Sequence, residues 1–382
     1  MEKTDLYLAL LRCCLAGDSE GGVPTIAQLR EVDWLDLLKF AKRQATVTIY
    51  WNGIQRWFRE GKASPIKASA EEVEQVRPTE DDVLEWMATR RRIELADKKV
   101  NDRSVWATEQ FRKEGFRTCV LKGQGNALYF PKEFLRQSGD IDLWVEGGAR
   151  KVLAYIDSVR PGKKRTYHHV KFIKSQGVDI EVHYRPSWLN SLWYNRRLQR
   201  FFNEHAQEQF ANQAVLPGTN GGIICVPTQE FNIYYQLCHI YRHLLLDGIG
   251  MRHLLDYYFL LKSGQPFDSR QRSAIVRQLK HLGLHPVAQA VMWALREELG
   301  LPEEYMIAEP NETTGRILMR EIINGEMLDK QHEQMLSGVK TLGWRYNLQR
   351  IMRDIRMAWY FPSECIWEPI FRIYHLWWRL RH

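Results

Sequence analysis

The chain has 382 residues, of which 45% are hydrophobic and 26% charged, and its formal net charge is +8. That length and composition are typical of a globular protein with more than one domain, and the positive charge allows an anionic partner without selecting one. No apolar run approaches the roughly 20 residues that cross a bilayer, and the N-terminus does not resemble a signal peptide, so we expect a cytoplasmic protein. The six cysteines contain no CxxC pair, which excludes a zinc ribbon.

The first hundred residues are predicted to be mainly helical. Apolar residues recur at three- and four-residue steps between residues 34 and 41, and Asp33 is a candidate N-cap for that helix. The polar, proline-containing stretch at residues 59–80 predicts a loop. A long helix is then expected from about Glu80 to Glu114, with a glycine after it as the C-terminal cap.

The hydrophobic period changes in the centre of the chain. The segments RTCVLKG, DIDLWV, VKFIK and VDIEVHY are short, rich in β-formers and bounded by glycine or polar residues, so each predicts a strand. A helix is expected between strands at Ala149–Ser158. After Pro186 the pattern is helical again, and a further helix is predicted from about Asp329 to Trp359. The aromatic and basic C-terminal segment is expected to dock on the helical domain rather than on a membrane.

We therefore predict an α+β fold. A small mixed sheet with a few helices lies between helical regions on either side. The predicted division is an N-terminal helical region at residues 1–95, a core at 96–190 and a C-terminal helical domain at 191–382.

Two aspartates mark the start of the second predicted strand. Ile141, Leu143 and Val145 share one face of this strand, so Asp140 and Asp142 share the other. Two carboxylates on one face repel each other unless a cation lies between them, and Mg²⁺ is commonly held by one or two carboxylates together with substrate phosphates. By the same argument, replacing Asp142 with Asn should leave stability unchanged or slightly higher in the metal-free protein.

A third carboxylate is predicted on a later strand at residues 178–182. Asp179 and Glu181 share one face of this strand, opposite two aliphatic residues. A third carboxylate beside Asp140 and Asp142 would complete a two-metal site, in which one metal orients a triphosphate and the other activates a hydroxyl. Glu181 is the preferred third ligand, and Asp179 is the alternative.

A glycine-containing turn follows the first predicted strand. The sequence Leu121-Lys122-Gly123-Gln124-Gly125 predicts a strand-to-helix turn whose backbone N–H groups can approach phosphate oxygens. Lys122 adds a positive charge, and Arg136 is also positioned to contact a phosphate.

Several histidines have both a structural and a functional interpretation. His239 and His243 are one helical turn apart and could form a metal-binding face, but no general-base HExxH pattern accompanies them, so a cleft-lining or core role without zinc is preferred. His183 shares a strand face with Glu181 and could contact a carboxylate or the acceptor. A structural role is an equal alternative for this residue.

The combined pattern of glycine turn, GDID and VDIEV resembles the nucleotidyltransferase superfamily that includes DNA polymerase β. It resembles more closely a family of uncharacterised bacterial nucleotidyltransferase-like proteins. This resemblance covers most of the chain, through DWLDLLKFAKRQATVTIYWNGI, VLKG, RQSGDIDLWV, VDIEVHYRP and CHIYRHLLLDGIGMRHLLDYYFLL. The chain departs from the superfamily at Gln124, where serine is usual.

The resemblance implies site residues and a reaction. Asp140, Asp142 and Glu181 would be both the catalytic and the metal-binding residues. Gly123 would belong to the phosphate-binding turn, and the helix of His243 together with Arg252–Asp256 would close over the nucleotide. Lys122, Gln124 and Arg136 complete the nucleotide contacts predicted from the sequence. The implied function is transfer of an NMP group from a nucleoside triphosphate to an unknown acceptor, with Mg²⁺ or Mn²⁺. The alternatives are a catalytically weak nucleotide-binding module and a nucleic-acid-modifying enzyme of the same fold. The short basic runs give no support for a nucleic-acid partner.

Overall fold

The computed structural model describes residues 3–19, 21–59, 65–324 and 352–381. Most of the predicted helix from about Asp329 to Trp359 lies outside these residues, although residues 352–358 are helical. The helices are α1 (Lys3–Ala16), α2 (Ile26–Arg30), α3 (Trp34–Gln44), α4 (Val47–Trp57), α5 (Ala70–Val76), α6 (Glu80–Lys113), α7 (Gln124–Ala127), α8 (Gly148–Val159), α9 (Leu192–Glu204), α10 (Ala206–Gln209), α11 (Gln229–Arg242), α12 (Met251–Lys262), α13 (Ser269–Leu282), α14 (His285–Leu299), α15 (Glu312–Asn324) and α16 (Pro362–Arg381). A π-helix (His243–Asp247) follows α11, and a 3₁₀ turn (Glu303–Tyr305) precedes α15.

The sheet that carries the predicted site has four strands in the order β1-β2-β4-β3. The β1–β2 and β3–β4 pairs are antiparallel, whereas β2 and β4 are parallel neighbours. A separate hairpin is formed by β5 and β6. The strands are β1 (Thr118–Val120), β2 (Ile141–Val145), β3 (His169–Ser175), β4 (Val178–His183), β5 (Gln213–Val215) and β6 (Ile223–Cys225). This arrangement is the predicted α+β fold with a small mixed sheet.

Each face of the four-stranded sheet packs against a different hydrophobic core. Ile141, Leu143 and Val182 point into a core formed with α6 and α8. Cys119 and Trp144 point the other way, into a larger core built from helices that precede the sheet in the sequence and helices that follow it. Polar side chains on this second face therefore lie between the sheet and the helical bundle.

The helix α6 links the N-terminal helices to the sheet. It has 34 residues and runs without a break through the boundary predicted between residues 95 and 96. Near its start, Trp86 is fully buried in the larger core, whereas Val100 and Phe111 belong to the core behind the sheet. One continuous element therefore contributes to both cores.

The C-terminal helix α16 packs against both cores: Cys365 near its start belongs to the larger core, as expected, and the later part of the helix packs against the core behind the sheet. Phe371 and Trp378 are buried there, and their rings lie 5.4 and 5.8 Å from the ring of Tyr167. Near the start of the helix, Glu364 is buried and accepts hydrogen bonds from two backbone amides, the closer at 2.5 Å. Burial raises the pKa of this carboxyl to about 7.

The helices in the described ranges are too short or too polar to cross a membrane.

Candidate active site

The strands β2 and β4 bring two carboxylates side by side. Because the strands are parallel neighbours in register, Asp142 pairs directly with Glu181. Alternation places the aliphatic residues Ile141 and Ile180 on the opposite face, in the core behind the sheet. One ligand atom from each of Asp142, Glu181 and His183 lies within 4.8 Å of the other two. The sequence pattern predicted this convergence of Asp142 and Glu181.

Asp142 is a buried carboxylate with two nitrogen atoms close to it. Its Oδ2 atom lies 2.8 Å from Lys122 Nζ, and its Oδ1 atom lies 2.8 Å from His183 Nε2. Burial alone would raise the pKa of this carboxyl, but Lys122 and His183 outweigh burial and hold the pKa far below its usual range. Asp142 is therefore an ionised side chain whose charge is already balanced, contrary to the expectation that its removal would relieve repulsion.

The contact between Asp142 and His183 is close but poorly directed. Despite the 2.8 Å separation, neither Oδ1 of Asp142 nor Nε2 of His183 has a hydrogen bond of acceptable geometry. Both side chains are 3% exposed, so water has little access to them. Buried polar atoms are nearly always satisfied in folded proteins. These two atoms are therefore candidate ligand atoms for a cation.

Glu181 lies at the edge of the same group. Its Oε2 atom is 3.3 Å from His169 Nε2 and 3.9 Å from His183 Nε2, and its Oε1 atom is 3.8 Å from Lys171 Nζ. Burial raises the pKa of Glu181, and the negative charge of Asp142 raises it further. Glu181 therefore takes up a proton more readily than an ordinary carboxyl does.

The remaining acidic residues of the two strands lie in different environments. Asp140 is exposed and precedes β2; it is not among the described ligand groups within 4.8 Å, although its charge contributes to the raised pKa of Glu181. Asp179 is exposed on β4, two residues before Glu181, and lies 3.7 Å from Lys174 Nζ. The structure thus brings together Asp142 and Glu181, and it leaves Asp140 exposed outside that group.

The turn after β1 positions Lys122. The Leu121 amide donates a hydrogen bond to the Asp142 carbonyl at 3.0 Å, which fixes the end of β1 beside β2. Gly123 follows with φ 47° and ψ −108°, a conformation that only glycine adopts without strain. Gln124 turns away from the site. Its side chain is buried and donates to Asp97 on α6 at 3.0 Å.

The two arginines predicted to bind nucleotide have different partners. Arg136 is buried and donates two hydrogen bonds to Asp256, at 2.7 and 2.8 Å, so its guanidinium is fully engaged in a structural ion pair. Arg252 donates to the Gln137 carbonyl at 3.2 Å, and the described residues supply no ion pair for it. Burial lowers the pKa of Arg252, the neighbouring Arg136 lowers it further, and the charge of Asp140 acts in the opposite direction.

Two groups of three histidines lie around this region. His168 and His169 approach His183 on the sheet, with both ring centroids 5.1 Å from that of His183. On the helical side, His239 and His243 converge with His253, a residue that the sequence analysis did not single out. His253 follows a chain reversal after the π-helix, and no periodic pattern in the sequence predicts that reversal.

A known protein family matches more than half of this chain. A protein-family model described as "uncharacterised nucleotidyltransferase" matches residues 30–300. A crystal structure of an antigenic nucleotidyltransferase-like protein from Paracoccidioides brasiliensis is 10% identical, and its match covers 58% of this chain and 96% of that chain with a TM-score of 0.29. No curated protein matches this chain.

Proposed function

This chain belongs to the family of uncharacterised nucleotidyltransferases, and on that premise we propose that it is a metal-dependent enzyme transferring an NMP group from a nucleoside triphosphate to an acceptor. In this reaction an acceptor oxygen attacks the α-phosphorus and the bond to pyrophosphate breaks. The observation that carries the proposal is the pairing of Asp142 with Glu181 in the β2–β4 register.

The residues around Asp142 fit a divalent cation. Asp142 and Glu181 offer oxygen ligands, and His183 offers a nitrogen ligand within the same group. Oxygen ligands suit Mg²⁺, whereas the imidazole favours a softer ion, so we expect Mn²⁺ to bind more tightly than Mg²⁺. When bound, the ion supplies neutralisation of the charge that builds on the transferred phosphoryl group.

Lys122 and Arg252 are assigned to the triphosphate. The Lys122 ammonium lies beside Asp142, at the end of the turn that Gly123 makes possible. Arg252 lacks a carboxylate partner among the described residues and feels the charges of Asp140 and Asp142. Arg136 is committed to its buried ion pair with Asp256 and is not assigned to phosphate.

Glu181 is assigned to the acceptor. Its carboxylate is paired with Asp142 across the two strands, where it can hold the ion that activates an attacking hydroxyl. Asp140 is exposed just before β2, two residues from Asp142, and can complete the ligand set as substrate binds.

The experiment compares Glu181→Gln with Asp179→Asn, a matched change of an exposed carboxylate on the same strand. Wild type and variants are incubated with NTPs labelled at the α-phosphate, Mg²⁺ or Mn²⁺, and cell lysate as the source of acceptor. We expect Glu181→Gln to lose transfer by on the order of 10²-fold or more and Asp179→Asn to stay within about twofold of wild type. Undiminished transfer by Glu181→Gln would contradict its assignment. Melting curves should also show that a metal ion strengthens NTP binding, and metal-independent binding would count against the proposal.

A further inference from the structure

A second group of potential metal ligands lies on the helical side of the molecule. His239 on α11, His243 at the start of the π-helix and His253 on α12 each present a ring nitrogen within 4.8 Å of the other two. Their ring centroids are 4.3 Å apart for His239 and His243, 4.5 Å for His243 and His253, and 5.4 Å for His239 and His253. None of these residues belongs to the carboxylate group of Asp142.

The local backbone explains how three distant positions meet. His239 and His243 are one turn apart on the same helical face. The helix then widens into the π-helix and ends at Gly248, whose φ of 83° reverses the chain and returns α12 alongside α11. His253 lies in the first turn of α12 and so faces the other two rings. Single π-helical turns occur frequently at functional sites.

Two of the rings are oriented by backbone groups. His243 Nδ1 lies 2.9 Å from the Gly248 carbonyl, and His253 Nδ1 lies 3.1 Å from the Gly250 carbonyl. Metal-binding histidines typically donate one ring N–H to such a carbonyl and present the other nitrogen to the ion. The Gly250 amide donates a hydrogen bond to His253 Nδ1 at 3.2 Å, and metal binding through Nε2 would exchange this bond for donation from Nδ1 to the Gly250 carbonyl.

The three rings differ chemically from the ligands on the sheet. Burial lowers the pKa of His239 and His253 well below the usual range, and nearby positive charges, including Lys122, lower both further. Neutral rings can bind a metal without first losing a proton. Three imidazoles with an open fourth position form a common site for Zn²⁺, whereas Mg²⁺ and Ca²⁺ require oxygen ligands.

We propose that His239, His243 and His253 form a separate histidine site for Zn²⁺ or a chemically similar transition metal. An anionic oxygen as the fourth ligand, such as hydroxide or a phosphate oxygen, would offset the repulsion between the metal ion and the nearby cations Lys122 and Arg252. The proposal differs from the sequence analysis, which favoured a role without zinc for His239 and His243. It does not depend on the proposed transfer activity.

The test begins with the full chain after removal of metals. Zn²⁺ binding is measured by calorimetry in excess Mg²⁺, and the histidine ligands are examined through the absorption spectrum of the Co²⁺-loaded protein. His239→Gln and His253→Gln are compared with His169→Gln, a matched change in the other histidine group. We expect His239→Gln and His253→Gln each to weaken one equivalent of Zn²⁺ by roughly a hundredfold or more, while His169→Gln retains that equivalent.

Melting curves of the metal-free variants verify folding, and the half-buried His239 remains informative if the buried His253 variant does not fold. The proposal is overturned if wild type binds no Zn²⁺. It is equally overturned if His239→Gln binds Zn²⁺ as wild type does, or if only His169→Gln loses the metal. Any of these results leaves the proposed transferase activity untouched.

Discussion

The replacement of Asp142 by Asn should destabilise the metal-free protein. Its carboxylate lies 2.8 Å from the Lys122 ammonium, and the two side chains are 3% and 17% exposed. At an effective dielectric constant of about 20, this separation corresponds to a gross attraction of about 6 kcal/mol, much of which offsets desolvation. Breaking a buried pair from one side typically costs about 3–5 kcal/mol. Asn retains an oxygen that can accept from Lys122, so we expect a loss of about 2–3 kcal/mol.

Urea unfolding of a double-mutant cycle measures this loss. The four proteins are wild type, Asp142→Asn, Lys122→Met and the double variant, all free of metal. We expect a coupling energy above about 1 kcal/mol, because the second change should cost less once the partner charge is gone. Asp179→Asn is the control, since its ion pair with Lys174 is about two-thirds exposed on both sides and should contribute less than about 1 kcal/mol. If Asp142→Asn is as stable as wild type or more stable, the carboxylate repulsion inferred from sequence dominates and this reasoning is wrong.

Three further predictions concern other parts of the molecule. Arg136→Met should lower the free energy of unfolding by about 3–5 kcal/mol, because it leaves the buried carboxylate of Asp256 without its partner. Arg252→Met should instead mainly weaken NTP binding in a calorimetric titration. The reverse pattern would refute both assignments. Because the pKa of Glu364 is raised to about 7 in the folded state, its contribution to stability is full below about pH 4 and falls by up to about 3 kcal/mol as pH rises through 7. Glu364→Gln should abolish that fall in urea titrations at pH 5 and pH 8, and an unchanged pH dependence would contradict the assignment. Gly123→Ala should lower the free energy of unfolding by about 1–3 kcal/mol through backbone strain. Steric clash should add little, because the new Cβ would meet only an ordinary contact at 3.5 Å. If Gly123→Ala and a Gly139→Ala control have equal free energies of unfolding, the strain argument is wrong.

Local patterns in the sequence predicted much of the fold. Asp33 accepts a hydrogen bond from the Asp36 amide as the N-cap of α3, and α6 begins at the predicted Glu80. The predicted loop at residues 59–80 contains the helix α5, although Ser69 and Glu72 form a capping box that the sequence already displayed. Alternation along β2 and β4 was sufficient to place Asp142 and Glu181 opposite the aliphatic residues of their strands, because a strand period of two is a local property; their direct pairing also depends on the parallel register of β2 and β4.

Contacts between distant parts of the chain were not predictable in the same way. The ion pair of Arg136 with Asp256 joins residues 120 positions apart. Because no local pattern indicates that pair, the sequence analysis predicted that Arg136 would contact a phosphate. The Lys122–Asp142 pair depends on the antiparallel register of β1 and β2, which short strands do not specify by themselves. His253 joins the other two histidines only because the chain reverses at Gly248.

The length of α6 has a consequence for how this protein folds and how it can be divided. Its 34 residues span about 50 Å, and its two ends lie in different hydrophobic cores. Melting either core would remove the packing that keeps the corresponding half of α6 helical, so the two cores should lose structure in one cooperative step. A fragment that begins at residue 96 would inherit half a helix and would lose the N-terminal helices that complete the larger core, and the transferase core is therefore best studied within the intact chain.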